Sequence, residues 1–232
     1  MRYFYLCVST LLFACLLQAA ESEFRTFTDP QGREMRAKLT LVSGDDVFIE
    51  RQDGLATKVD ISIFGQEDQE FIRAWEKLAA FKNNVDVRFR THITDRSSFE
   101  GSGGVLSRRW QEGYEIVLTN KSAFDMTDVR IEYLVLKFED AIAAERRSEG
   151  EIRKIKGKTE VADIPARSDG NTTTGQFPML ETKLAPGYSW ASGGKRTSKD
   201  KMEGVWIKVY QGENLVAEVS RPENLDRRIS WD

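Results

Sequence analysis

Cysteine, histidine and proline are scarce in this sequence, whose 232 residues include two cysteines, one histidine and five prolines. The cysteines are Cys7 and Cys15, and the histidine is His92. So few thiol and imidazole groups argue against a zinc site built from cysteine and histidine. The net charge of −3 also lacks the basic excess that a nucleic-acid-binding surface needs. We therefore expect no metal, no other cofactor and no nucleic-acid partner.

Residues 1–20 have the pattern of a secretory signal peptide. Arg2 provides the positive charge, an uncharged and largely apolar stretch follows, and Ala19 and Ala20 end it with small residues. The apolar stretch is short for a helix that crosses a membrane. We expect cleavage after one of these alanines and export to the periplasm or the cell exterior, with no membrane span left in the mature chain. A retained anchor, or lipid attachment at Cys15, is the alternative.

Cleavage at this point would remove both cysteines, so the mature protein would have no disulfide and no cysteine nucleophile. The composition, with 40% hydrophobic and 31% charged residues, is that of an ordinary soluble globular protein. A chain of this length can bury a sizeable core. We expect one or two domains that are held together by apolar packing.

The first predicted module, residues 24–82, consists of short strands followed by one helix. Apolar and polar residues alternate over 35–41, which indicates a strand with one buried face, and a Gln-Asp-Gly turn at 52–54 separates two later strands. Four or five such strands close most simply as a small barrel. Over 65–78 the apolar residues take helical spacing, and acidic residues occupy the first turn, where they complement the helix dipole. We expect this helix to pack on the barrel.

Three segments within residues 25–71 form a family pattern. They read F-T-D-P-Q-G-R, then G-D-D-V-F-I-E-R-Q-D-G, then K-V-D-I-S-I-F-G-Q-E-D-Q-E-F. The pattern resembles the Sla-type homology domain one, a family that was named after a yeast endocytic adaptor and that recurs in exported bacterial proteins. The matching positions are Phe27, Asp29, Gly32, Ala37, Val47, Gly54, Val59, Ile61, Glu67, Asp68 and Gln69. Phe27 stands where the family often has tryptophan, and I-S-I-F-G at 61–65 replaces the more usual L-S-x-L-S.

The resemblance implies a small barrel like that of Src-homology-three domains, which binds short peptide motifs such as N-P-F-x-D. The strands predicted for this module also carry basic residues on their outer face, and we take Arg36, Lys38, Arg51 and Lys58 as candidate partner-binding residues. They would assist recognition of an extended peptide at a sheet edge or in a groove. Endocytosis is not implied, because the signal peptide directs the chain outward.

The second predicted module, residues 85–232, has the pattern of an antiparallel β-sandwich. Apolar and polar residues alternate over 85–94 and 114–118, and the second half of 129–138 is apolar on both sides, as in a central strand. Further strand signals lie at 160–165, 176–182, 205–210 and 215–219. The runs Y-E-I-V-L-T-N-K-S and V-R-I-E-Y-L-V-L resemble the B and C strands of immunoglobulin-like or fibronectin-like exported domains. We therefore expect a mainly β protein, in which a small barrel with a C-terminal helix precedes an immunoglobulin-like sandwich.

Two segments between these strands have a less regular pattern. Residues 139–149 are compatible with a short helix, and residues 153–158 form a basic run. A solvated loop or strand face explains such a run. Contact with an anionic partner is the alternative.

Side chains suited to catalysis are few. The alternation places His92 beside Arg90 on the outer face of its strand, so we expect a surface histidine rather than a general base. Ser192 and Lys195 match S-x-x-K by spacing, but the other elements of that acyl-transferase signature are absent. Adjacent acidic residues point apart on a strand or helix, so they form no acid/base couple. We predict that the protein is not an enzyme.

Tryptophans of the second module leave two interpretations open, core packing or a platform on which a sugar stacks. They are Trp110, Trp190, Trp206 and Trp231. Our leading hypothesis is an exported, non-enzymatic protein-binding or adaptor protein whose small barrel recognises a peptide or a protein, including a second copy of the chain. The alternatives are a structural envelope component and a carbohydrate-binding β-sandwich protein.

Overall fold

The computed structural model describes residues 23–140, 150–189 and 195–232. Across these three ranges the chain is mainly β-structure, as predicted. It contains thirteen strands and one α-helix there. Other predictions fall outside them: the signal peptide with both cysteines, most of the helix at 139–149, Trp190, and Ser192 of the S-x-x-K match.

The chain divides into two compact units between residues 76 and 77, inside helix α1 (Gln66–Asn84). The sequence pattern placed the boundary after the helix, at 82–85. The two positions differ because the apolar side chains of the helix belong to two cores, with Ile72 in the core of the first unit and Phe81 in the core of the second. No helix in the described ranges is long and apolar enough to cross a membrane.

The sheet of the first unit consists of four antiparallel strands in chain order, β1 (Arg25–Thr28), β2 (Glu34–Ser43), β3 (Asp46–Arg51) and β4 (Ala56–Asp60). Among the described residues β1 pairs only with β2 and β4 only with β3, so the sheet stays open and the predicted closed barrel is not formed. Phe27, Leu39 and Ile49 of the sheet pack with Phe64 and with Ile72 of α1. These two residues cover the apolar side of the sheet, so its core is buried without strand closure.

A β-bulge interrupts the alternation of β2. Leu39 pairs with Ile49 and Leu41 with Phe48, which leaves Thr40 without a partner in the ladder. One extra residue moves the side chains that follow it to the other side of the sheet. Leu41 is therefore 53% exposed, and the prediction that it belongs to the buried face is wrong.

The second unit contains two antiparallel sheets, which we call sheet A and sheet B. The strands of sheet A are β5 (Val85–Glu100), β6 (Val105–Asn120), β9 (Asp169–Thr173), β10 (Phe177–Leu184) and β11 (Thr197–Lys199). The strands of sheet B are β7 (Val129–Glu139), β8 (Glu151–Val161), β12 (Lys201–Gln211) and β13 (Asn214–Arg221). Sheet A has the order β11-β10-β6-β5 with β9 also paired to β6, and sheet B has the order β13-β12-β7-β8.

The core of the second unit lies between sheets A and B, which confirms the predicted β-sandwich. Ile116 and Leu118 of β6 pack with Ile131 and Val135 of β7 and with Ile207 of β12, and all five are completely buried. No disulfide is needed for a core of this size, because the apolar side chains of both sheets exclude water from it.

Strand β7 is buried on both sides, as its sequence predicts. Leu134 and Leu136 face away from the sandwich core and pack with Trp206 and Leu225. Trp231 completes this second cluster through an edge-on contact with Trp206, with the ring centroids 5.0 Å apart. The C-terminal residues therefore cover an apolar part of the outer side of sheet B.

Strand β6 has two partners along one of its edges. Its first half pairs with β10 and its second half with β9. The partners change at Gly113, where a Cβ atom would lie 2.6 Å from the main-chain oxygen of Gly175 and 3.0 Å from Oγ1 of Thr174. Two main chains approach each other closely here, so the position requires glycine.

We predict that Gly113→Ala destabilises the protein by about 1–3 kcal/mol, because the added methyl group must displace the main chain at Gly175. Urea unfolding of the full chain, followed by tryptophan fluorescence, measures the change. Gly101→Ala is the matched control, since the nearest atom to its added Cβ would lie 3.4 Å away. Equal stability of the two variants would contradict the prediction.

Candidate functional site

Three of the four predicted basic residues, Arg36, Lys38 and Lys58, lie on the outer side of the sheet in the first unit. Lys38 stands opposite Glu50 in the ladder, and Lys58 stands opposite Phe48. Residues that stand opposite each other point to the same side of a sheet. The outer side therefore combines cations with an acidic residue and a half-buried aromatic ring.

Arg51 points to the other side, because its ladder partner is the buried Ala37. It follows Ile49 by two residues, and side chains two positions apart in a strand share one side. Its guanidinium is 2.9 Å from the carboxylate of Asp53 in the adjoining turn. The four basic residues therefore do not form one continuous face.

Two of the three outer cations have acidic partners. Lys38 Nζ lies 3.1 Å from Oε2 of Glu50, and Lys58 Nζ lies 3.0 Å from Oδ2 of Asp46. Arg36 has no ion-pair partner in the described part of the chain. Ion pairs that water reaches contribute about 0–1 kcal/mol each, and all four side chains of these pairs are at least one-third exposed or close to it, so a partner's carboxylate can replace either acid at little cost.

Strand β4 forms a free edge of this sheet. The main-chain N–H of Arg51 donates to the carbonyl of Leu55 at 2.9 Å, which makes these two a hydrogen-bonded pair. Hydrogen-bonded and non-hydrogen-bonded pairs alternate along an antiparallel ladder. The N–H and C=O groups of Ala56 and Lys58 therefore point away from β3, and among the described residues no strand pairs with them.

A cleft of about 820 Å³ lies in the second unit, at a place that no sequence pattern predicted. Trp110 and Arg108 continue the core-facing side of β6 into the cleft, and Lys201 and Met202, at the start of β12, line it from sheet B. Four basic residues line the cleft (Arg96, Arg108, Lys199 and Lys201) with three acidic residues (Glu112, Glu181 and Asp200).

The acidic residues of the cleft are held by neighbouring groups. Glu112 accepts a hydrogen bond from Nε1 of Trp110 at 2.7 Å. Glu181 lies 3.8 Å from the guanidinium of Arg108 and 3.9 Å from Nζ of Lys199. Glu181 therefore lies beside two cations of the cleft wall, whereas Glu112 is oriented by a hydrogen bond from a neutral ring.

Asp200 is a buried carboxylate at the inner end of the cleft. Its two oxygens accept hydrogen bonds from the main-chain N–H groups of Asp140 and Leu180, both at 3.0 Å. Nζ of Lys137, which is 4% exposed, lies 3.5 Å from Asp200 and 2.9 Å from Glu139. This buried network connects β7, β10 and the start of β12. The one signal for it in the sequence is a lysine within an otherwise apolar central strand.

The predicted surface histidine lies where the alternation placed it. His92 is half-buried on the same side of β5 as Arg90. A hydrogen bond from Arg90, and then the charges of Arg90 and His92, lower the pKa of Glu115 on the neighbouring strand. The described ranges contain no group of three or more histidine, cysteine or acidic side chains that could hold a metal ion.

The tryptophans of the described ranges serve packing. Trp110 and Trp206 are each 7% exposed, and Trp206 donates from Nε1 to Glu218 at 2.7 Å. A ring with so little exposed surface offers no platform for a sugar. Trp231 packs on Trp206.

The basic run at 153–158 is part of strand β8, as the strand-face interpretation predicts. Lys154 donates from Nζ to the carbonyl of Ser230 at 3.3 Å, and Lys156 lies 3.9 Å from the carboxylate of Asp232. These contacts join the run to the C-terminal residues of the chain.

No family model matches this sequence, and no curated protein matches it. Solved structures do match, among them the X-ray structure of Northeast Structural Genomics Consortium target SoR45. That chain is 12% identical with a TM-score of 0.28, and the match covers 60% of this chain and 87% of the other. A likeness at this TM-score carries no conclusion on function.

Beside the cleft, burial raises the pKa of Tyr114 to about 12, and the charge of Glu112 adds to the shift. The ordinary value is 10.0, so the unfolded chain ionises first as the pH rises. We predict that the stability contributed by the neutral phenol is complete below pH 10.0 and falls between 10.0 and about 12. Tyr114→Phe should lose less stability than the wild type between about pH 8 and about pH 11 in urea unfolding. An equal loss in both proteins would contradict this.

Proposed function

We propose that this protein is an exported, non-enzymatic binding protein that adds an extended segment of a partner protein to the free edge of strand β4. The observation that carries the proposal is the pair of main-chain groups at Ala56 and Lys58, which point outward without a strand partner. A peptide that pairs with these groups gains main-chain hydrogen bonds, and neighbouring side chains select its sequence.

The side chains beside this edge favour a peptide with an apolar and an acidic residue two positions apart. Ala56 and Lys58 are exposed and point to the outer side of the sheet, next to the half-buried ring of Phe48. On an added strand, residues i and i+2 would also share that side. One would lie against Ala56 and the other would pair with the ammonium group of Lys58.

The resemblance to the Sla-type homology domain one supports the same preference. In the N-P-F-x-D motif that the resemblance implies, the phenylalanine and the aspartate are two residues apart. An extended peptide therefore presents both to one side of the sheet. The phenylalanine suits the apolar position at Ala56, and the aspartate suits Lys58.

A structural envelope component remains the second candidate, and one observation favours it. Lys38, Arg51 and Lys58 each have an acidic partner within the first unit, so their charges can serve the fold alone. The two candidates differ in what the free edge does. Strand addition needs the outward N–H groups of β4, whereas a purely structural role does not.

We predict that a displayed random-peptide library, selected against the full chain, is enriched in sequences with an apolar and an acidic residue two positions apart. Ala56→Pro should reduce binding of the selected peptides about tenfold or more, because it removes one outward N–H without removing a bond to β3. Lys58→Glu should reduce it by a similar factor, since it repels the acidic residue. Fluorescence anisotropy measures the affinities.

Lys82→Glu is the charge-matched control, because Lys82 is exposed on α1 and lies outside the sheet of the first unit. It should leave the affinities unchanged, and thermal unfolding should show that all three variants are folded. Failure of the library to yield such sequences, or equal binding by wild type, Ala56→Pro and Lys58→Glu, would reject strand addition at β4.

Export carries its own prediction. N-terminal sequencing of the protein recovered from the periplasm or the medium should begin at Ala20 or Glu21, which corresponds to cleavage after Ala19 or Ala20. Replacement of Leu12 by arginine should keep the chain inside the cell with residues 1–20 attached, because a charge interrupts the apolar stretch. Recovery of the intact N-terminus outside the cytoplasm would argue for a retained anchor instead.

A further inference from the structure

We propose that the cleft of the second unit binds an oxyanion, the carboxylate or phosphate group of a small ligand, between Arg96 and Lys201. This site belongs to the sandwich, and it does not depend on peptide recognition at β4. A volume of about 820 Å³ is within the usual range of small-molecule sites, which is roughly 300–1,000 Å³.

A β-bulge directs Arg96 into the cleft. Thr94 pairs with Gln111 and Ser97 with Arg109, so two residues of β5, Asp95 and Arg96, stand against one residue of β6. Asp95 has φ of 51°, in the left-handed region that few residues other than glycine adopt. Bulges turn side chains out of the regular alternation and are common beside binding sites. Arg96 therefore lines the cleft instead of continuing the pattern of its strand.

A second bulge lies in the opposite wall. The ladder between β12 and β7 shifts between Met202 and Gly204, two residues after Lys201. Lys201 and Met202 both line the cleft. Strands β5 and β12 contribute the two cations of the site. Each strand departs from regular pairing within three residues of its cation.

The lining of the cleft has an excess of one positive charge, since four basic residues face three acidic ones. Glu181 lies beside Arg108 and Lys199, and Asp200 lies beside the buried Lys137, whereas Glu112 accepts a hydrogen bond from the neutral indole of Trp110. Neither Arg96 nor Lys201 has an ion-pair partner among the described residues, and both are exposed. A net positive charge in a cleft raises the local concentration of anions. Guanidinium and ammonium groups bind carboxylate and phosphate oxygens through charge-assisted hydrogen bonds.

Apolar residues of the cleft favour a particular kind of group attached to the oxyanion. Ile93 is 38% exposed at the cleft, and Met202 lies on the other wall. Apolar surface beside a cation favours a ligand whose oxyanion is attached to an apolar or ring-shaped group. Such a ligand should bind more tightly than the bare oxyanion.

Isothermal titration calorimetry of the full chain tests the proposal with phenyl phosphate, benzoate and inorganic phosphate as probes. We expect phenyl phosphate or benzoate to bind with a dissociation constant of about 1 mM or tighter, and inorganic phosphate to bind more weakly. The variant R96Q/K201Q should weaken binding at least about tenfold. The variant K158Q/R228Q removes the same amount of charge from exposed positions that do not line the cleft, and it should bind like the wild type.

The titrations either support the oxyanion site or overturn it. Binding of phenyl phosphate alone identifies a phosphate ligand, binding of benzoate alone identifies a carboxylate ligand, and binding of both identifies a general oxyanion site. Absence of heat with every probe overturns the proposal. So does an equal loss in R96Q/K201Q and K158Q/R228Q, because it would reduce the binding to net charge. Thermal unfolding of both double variants shows that the folded protein was measured in each titration.

Discussion

Strand β6 is the element on which the second unit depends, because it pairs with β5 along one edge and with both β9 and β10 along the other. Its central residues supply the sandwich core through Ile116 and Leu118. Its first half continues past the core and carries Trp110 and Arg108 into the cleft. Core and cleft are thus two parts of one side of one strand. The close approach at Gly113, where the partner strand changes, makes this arrangement possible.

The core of the first unit is buried in a different way. Its sheet stays open, and α1 with Phe64 covers the apolar side. An open sheet keeps edges that a closed barrel would not have. At the β1 edge, the main-chain groups of Thr28 are bonded to Asp68 and Gly65, whereas those of Ala56 and Lys58 in β4 have no strand partner among the described residues. The surface proposed for peptide recognition therefore follows from the way in which the core is covered. The cations near it are paired within the first unit, except Arg36, so the proposed recognition would depend on main-chain groups as much as on charge.

Much of the fold could be predicted from the sequence, because alternation reports which side of a strand is buried. Strands β2, β7 and β12 and the helix lie where their patterns indicated. Strand β9, with the sequence D-G-N-T-T, has no apolar alternation and was missed. Local bulges were also missed, since the unpaired Thr40 and the unpaired residue near Arg96 are seen only when two strands are aligned. The placement of Arg51 on the outer face was wrong for a different reason, because Arg51 follows the buried Ile49 by two residues and alternation within β3 already indicates the inner side.

The fold class and the two candidate sites differ in how far the amino-acid sequence predicts them. Local pattern and residue count are enough to establish the mainly β composition, the sandwich strands and the scarcity of thiol and imidazole groups. Strand pairing in the folded chain, by contrast, left the first sheet open and β4 with a free edge. It also brought Arg96, Trp110 and Lys201 to one cleft. These residues are far apart along the chain, and their proximity comes from strand pairing and from two bulges, which no local pattern records.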